Sequence, residues 1–148
     1  MELTLSGKGK VLAYWQVLAG IASIVIVIIN FLHGGNVLAG AVLSIVAVLS
    51  LMAGIALLKG KPSGAGLSWL AQLVQVPALY LKGLYFQVFL LLSLDIGKNV
   101  SGAIFLNWHA GSGAFFRVGE IPFQFAGANL VALIFCLFLA LGVSKKTP

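Results

Sequence analysis

From Val11 to Leu58 the sequence contains no Asp, Glu, Lys or Arg. A soluble domain draws on roughly 25% charged residues to cover its surface, so this stretch cannot face water along its length. Only His33-Gly34-Gly35-Asn36 interrupts it, a tight turn between apolar runs at 11–32 and 37–58. Two further apolar runs, 67–94 and 121–143, follow. Each of the four covers the ~20 residues that a helix needs to cross a bilayer. The chain as a whole is 61% hydrophobic and 8% charged, with a mean hydropathy of +1.11. The first run exceeds the ~7–15 residues of a secretory h-region, and no small-x-small cleavage site follows it. It is expected to remain as a helix. The sequence therefore predicts an all-α membrane protein, a single domain over 1–148. Its expected form is a four-transmembrane-helix bundle, with a short β-hairpin-like outer segment at 96–120 between helices 3 and 4.

Orientation follows from the lysines. Lys8 and Lys10 precede the first run, Lys59 and Lys61 lie between the second and third, and Lys145 and Lys146 follow the fourth. Four spans put all six on one side, and positive loops stay cytoplasmic. The other side keeps Lys98 and Arg117, offset by Asp95 and Glu120. Tyr14, Trp15 and Trp69 fall at the cytoplasmic interface, where amphipathic aromatics settle. Both termini are thus expected in the cytoplasm, and the brevity and sparse loops suggest a prokaryotic inner membrane. The net charge of +6 does not imply nucleic acid, because the basic residues are spread between apolar runs rather than clustered on a polar face.

The outer segment is the one sizeable soluble piece. A-I-F-L-N-W-H-A and A-F-F-R-V-G-E-I flank Gly111-Ser112-Gly113, and two aromatic-rich runs around a glycine turn read as a β-hairpin. Phe105, Trp108, His109, Phe115, Phe116 and Arg117 form its candidate partner-binding surface. The same aromatics also suit a membrane-interface belt.

Helices in lipid associate through small residues and polar contacts. Ala13, Gln16, Gly20, Ser23, Val27 and Asn30 recur at alternating steps of three and four in the first run. Gly40 and Ser44 are a small-xxx-small pair in the second, where Gly54 belongs to another. Ala128, Ala132, Cys136 and Ala140 fall every fourth residue in the last, with Asn129 beside them. These residues are expected to pack helices. Down a long third helix, Ser68, Gln72, Gln75, Lys82 and Ser93 lie within an arc of about 80°. Such a stripe should face protein or water, where Lys82 could line a pore. A lysine this near the outer boundary can equally snorkel its ammonium to the headgroups.

Chemistry is thinly represented. The single cysteine, Cys136, rules out paired thiols, and His33 and His109 stand apart from metal-ligand spacing. No nucleophile, base and orienting acid fall into a recognisable motif. The sequence points to no enzyme, metal or cofactor. It points to a non-catalytic interaction or accessory subunit acting through its helix seams and outer segment. Its partners would be the lipid bilayer, copies of itself as a homo-oligomer, or another membrane or exported protein. The alternative is a homo-oligomeric channel lined by the third-helix stripe.

Overall fold

The computed structural model describes residues 3–81, 83–99, 101–119 and 125–145. Its first two helices follow the uncharged stretch. α1 covers Gly7–Leu32 and α2 covers Val37–Leu58, roughly 39 and 33 Å at 1.5 Å per residue. Gly34, at φ 74°, takes a backbone that glycine adopts freely. Asn36 then caps α2 by accepting a hydrogen bond from the Ala39 amide at 3.0 Å. Both helices are long and apolar enough to cross a membrane.

The two helices cross at reciprocal glycines. A Cβ on Gly20 would stand 2.8 Å from the Ala47 carbonyl oxygen, and one on Gly54 would stand 2.6 Å from that of Ala13. The backbones are therefore in near contact, the arrangement that small residues permit.

The four-span bundle is not what forms. α3 covers Pro62–Gln75, about 21 Å of helix, and stops two residues before Pro77, whose ring nitrogen has no hydrogen to donate to a helical ladder. The rest of the apolar run is strand: β2 (Pro77–Leu81), β3 (Gly83–Phe89) and β4 (Leu92–Asn99). Length alone suggested one long helix, but an unbroken apolar run can equally be buried strand. Here Pro77 and Gly83 act against a continued helix, and the density of Tyr, Phe and Val between 80 and 89 favours strand. The fourth run is corrected likewise. β7 (Phe125–Asn129) precedes α4 (Leu130–Gly142), a helix of about 20 Å that cannot span a ~30 Å hydrocarbon core. Asn129 starts α4 as its N-cap, its side-chain oxygen accepting from the Val131 and Ala132 amides.

The fold is therefore α+β, built around a curled antiparallel sheet of order β5-β4-β7-β2-β3-β6. β5 covers Ile104–Ala110 and β6 covers Gly113–Gly119. The order is explained by one long bent hairpin. From Gly83 opposite Gly119 to Lys98 opposite Ile104, β3–β4 pairs with β5–β6 in a single continuous register. Asn99 closes its tip by accepting from the Ser101 hydroxyl and the Ala103 amide. Both arms turn a corner together at Leu90–Leu91 and Gly111–Ser112. There Leu91 takes φ 63°, uncommon for a residue with a side chain. Its amide donates to Ser112 Oγ and its carbonyl accepts from Gly111. β2 and β7 fill the space between the two halves of the inner arm, which curls the sheet.

The expected outer hairpin is corrected by the same register. Both of its arms are strands, but Gly111-Ser112-Gly113 is the corner rather than the turn. β5 and β6 lie at opposite ends of the strand order and pair with β4 and β3.

The corner packs on the upper half of the α1–α2 hairpin, with Val88, Leu90 and Ala114 against Ala19, Val27, Leu43, Val46 and Ala47. At the other end, Leu12, Ala13 and Leu57 meet Phe135 and Leu139 of α4. There a short ladder joins β1 (Leu3–Leu5) to β8 (Val143–Lys145), so the two ends of the chain meet.

Candidate functional site

Beside the apolar core, the interior holds a row of polar side chains, while large apolar side chains lie outside on the first two helices. Gln16, Ser50, Ser68, Gln72, Gln75, Gln87, Ser93 and Asp95 are buried, whereas Leu18, Ile21, Val25, Ile28, Ile45 and Met52 are exposed on α1 and α2. The buried groups run from the helices into the sheet. Ser68 donates to Gln16 Oε1 at 2.8 Å and Ser50 to the Gln16 carbonyl at 3.3 Å. Gln75, at the end of α3, accepts from the Leu90 amide at the sheet corner.

Among the described residues the most buried ionisable side chain of this row is Asp95, 1% exposed on β4. Ser93 donates to its Oδ1 at 2.5 Å and Gln87 to its Oδ2 at 2.5 Å. His109 Nε2 stands 3.4 Å from Oδ2. The register places His109 of β5 directly opposite Ser93, and Asn107 opposite Asp95. The imidazole stacks on Phe89 at a centroid distance of 5.2 Å, and Asn107 Nδ2 lies 3.1 Å from Nε2. One ring nitrogen cannot accept from an amide while donating to a carboxylate. The carboxylate is the stronger acceptor, so the Nε2–H tautomer fits, with the Asn107 amide turned over. Chemically, this cluster fastens the edge strand β5 to the sheet interior. Among the described residues, no group of three or more His, Cys, Asp or Glu could hold a metal.

Two cavities flank the corner. One of about 680 Å3 lies between the α1–α2 tip and β6, walled by Phe31, Asn36, Leu43 and Phe115. The other, about 620 Å3, is bounded by Phe89, Trp108 and His109; both touch Asn30 and Ser112. Ser112 ties the corner to α1 through a 2.6 Å bond to Ser23.

The opposite face of β5 is apolar and open. Ile104, Leu106 and Trp108 are 78%, 65% and 68% exposed. Leu92 and Ile96 of β4 extend the patch, opposite Ala110 and Leu106. Alternation along a strand separates this row from the one that carries Asn107 and His109.

The residues singled out in the sequence are distributed differently from a helical bundle. Ser68, Gln72 and Gln75 share the buried side of α3, but Ser93 is on β4 inside the sheet, and Lys82 lies outside the described residues. The pore stripe thus has no single long helix to occupy. Glu120 also lies outside the described residues, and Asp95 is committed to Gln87, Ser93 and His109. Gly20 and Gly54 sit at the α1–α2 crossing, Gly40 lies under the Phe31 ring, and Ser44 donates back to the Gly40 carbonyl. Ala128 belongs to β7, Asn129 is a cap, Ala132 and Cys136 are buried on α4, and Ala140 is exposed. Phe105 is half-buried and Phe115 stacks on Phe89. Phe116 and Arg117 lie on β6 opposite Phe86 and Tyr85; their side chains are outside the described set.

What sequence reasoning missed is the Asp95 cluster. Its signal was a period of two: Ser93-x-Asp95 and Asn107-x-His109 each place polar residues on one face of a strand. Comparison with protein families, curated proteins and solved structures finds no match for this chain.

Proposed function

We propose that this chain is a non-catalytic interaction protein of the prokaryotic inner membrane, anchored by the α1–α2 hairpin and contacting a protein partner through the β4–β5 face. Three features support membrane insertion: two helices of spanning length, apolar exteriors on both, and polar side chains such as Gln16, Ser23 and Ser50 turned inward. The orientation draws on the basic residues at one end. The Leu3 amide bonds the Gly60 carbonyl and β1 pairs with β8, so Lys8, Lys10, Lys59, Lys61 and Lys145 gather where positive charge stays cytoplasmic.

The observation that carries the interaction reading is the exposed row of Ile104, Leu106 and Trp108 on an edge strand. A large apolar patch on an otherwise well-packed sheet marks a contact surface, and an edge strand offers backbone groups to a partner. A benzophenone amino acid placed at Leu106 and irradiated in native membranes tests this. The reading expects a discrete protein adduct; adducts with lipid alone would overturn it.

A further inference from the structure

Resting on the interaction reading above, we infer that the partner of the β5 edge is a second copy of this chain, joined by antiparallel pairing of β5 with β5. The direction of the backbone groups comes first. The Asn99 amide bonds the Ala103 carbonyl and the Gly111 amide bonds the Leu91 carbonyl. Antiparallel ladders alternate between bonded and non-bonded pairs, so residues 105, 107 and 109 bond inward to β4. Ile104, Leu106, Trp108 and Ala110 then point their N–H and C=O groups outward. β5 and β6 end the strand order, and among the described residues that outward ladder has no partner.

The same four residues carry the exposed apolar row, so one edge offers both a ladder and a hydrophobic strip. β5, I-F-L-N-W-H-A, has no Lys, Arg, Asp, Glu or Pro, the residues by which edge strands are normally protected. Depth adds a requirement. The corner from which β5 departs is bonded to Ser23 and shares cavity walls with Asn30, within the length of α1. Open sheet edges are not tolerated in hydrocarbon, so in a membrane-inserted chain the corner end of this edge needs covering.

A second copy meets that need without added charge. With a two-fold axis through Asn107, Leu106 of one chain lies opposite Trp108 of the other, and Ile104 opposite Ala110, all on one face. The two Lys98 residues, each level with an Ile104, fall to opposite ends of the joint, about 20 Å apart at ~3.3 Å per residue. Among the described residues of β4 and β5, no like charges meet.

The test weighs the full chain in nanodiscs by native mass spectrometry, comparing wild type with Leu106→Pro and Leu106→Ala. Proline removes an outward amide and is tolerated at sheet edges, while alanine removes only side chain. The expected result is a wild-type dimer, weakened at least tenfold by Leu106→Pro and threefold or less by Leu106→Ala. A companion measurement does not depend on the proline variant folding. In a Cys136→Ala background, Leu106→Cys chains mixed with Trp108→Cys chains should form a disulfide dimer on oxidation, because opposed residues stand about 5.5 Å apart. Ile21→Cys chains should not. A monomeric wild type, equal losses in both Leu106 variants, or cross-linking through Ile21→Cys alone would each overturn the inference. If a monomer still gives a heterologous protein adduct at position 106, only the second-copy inference falls. If it gives lipid adducts alone, the interaction reading falls too.

Discussion

Replacing Asp95 with alanine should be the most costly single change in the sheet. The carboxylate is 1% exposed and receives hydrogen bonds from Gln87 and Ser93 while facing His109. Removing it takes one acceptor each from the Gln87 amide, the Ser93 hydroxyl and the imidazole, and a buried donor left unsatisfied costs about 1–3 kcal/mol. Ser93 recovers part of its loss, because Gln87 Nε2 already lies 3.5 Å from Ser93 Oγ. The expected destabilisation is therefore roughly 2–4 kcal/mol. Asp95→Asn keeps one acceptor oxygen and the shape of the side chain, so it should cost about half as much. Reversible unfolding in mixed micelles, with the denaturing detergent as the variable, gives both values. Hydrogen exchange adds where the loss is felt, and β5 amides should open first because His109 and Asn107 hold that strand to the cluster. Equal, sub-kcal effects for both variants would refute the claim that a satisfied carboxylate organises this part of the fold.

Gly54→Ala would drive a Cβ to 2.6 Å from the Ala13 carbonyl oxygen, and overpacking of this kind costs about 1–3 kcal/mol. Gly66→Ala on α3 meets nothing within 4 Å and should stabilise by up to about 1 kcal/mol through helix propensity; thermal unfolding of the pair tests the crossing. Gly111→Ala, at φ 107° with open space around it, should cost about 1–2 kcal/mol through backbone strain alone, read as a lower Tm. Ser23→Ala and Ser112→Ala should each cost about 1 kcal/mol. The double variant should cost clearly less than their sum, since the hydroxyls share one bond.

The helical hairpin was legible because lack of charge and a Gly-Gly-Asn turn leave little choice: runs at 11–32 and 37–58 became helices at Gly7–Leu32 and Val37–Leu58. The later runs were misread because hydropathy measures burial and not geometry. Pro77 and Gly83 were visible as breakers, yet their weight depended on β7, a strand some 50 residues away in the chain, arriving to pair with β2. Asn129 was read as a packing residue because its capping role appears only once α4 is known to begin there. The outer segment was expected to be a hairpin, and its two runs are strands that pair with β4 and β3 rather than with each other. Its pairing was not visible, because a glycine corner and a glycine turn carry the same residues and only the register of β3–β4 tells them apart. The buried cluster shared that fate, since Ser93, Asp95 and His109 converge only when β4 and β5 are neighbours.

The most direct test of the account is a photo-cross-linking scan along residues 104–110 in native membranes, one benzophenone per position. A β5 edge in contact with a protein predicts adducts at 104, 106 and 108 and their absence at 105, 107 and 109. Adducts recurring every three to four positions, or lipid adducts throughout, would contradict both the strand and the surface it presents.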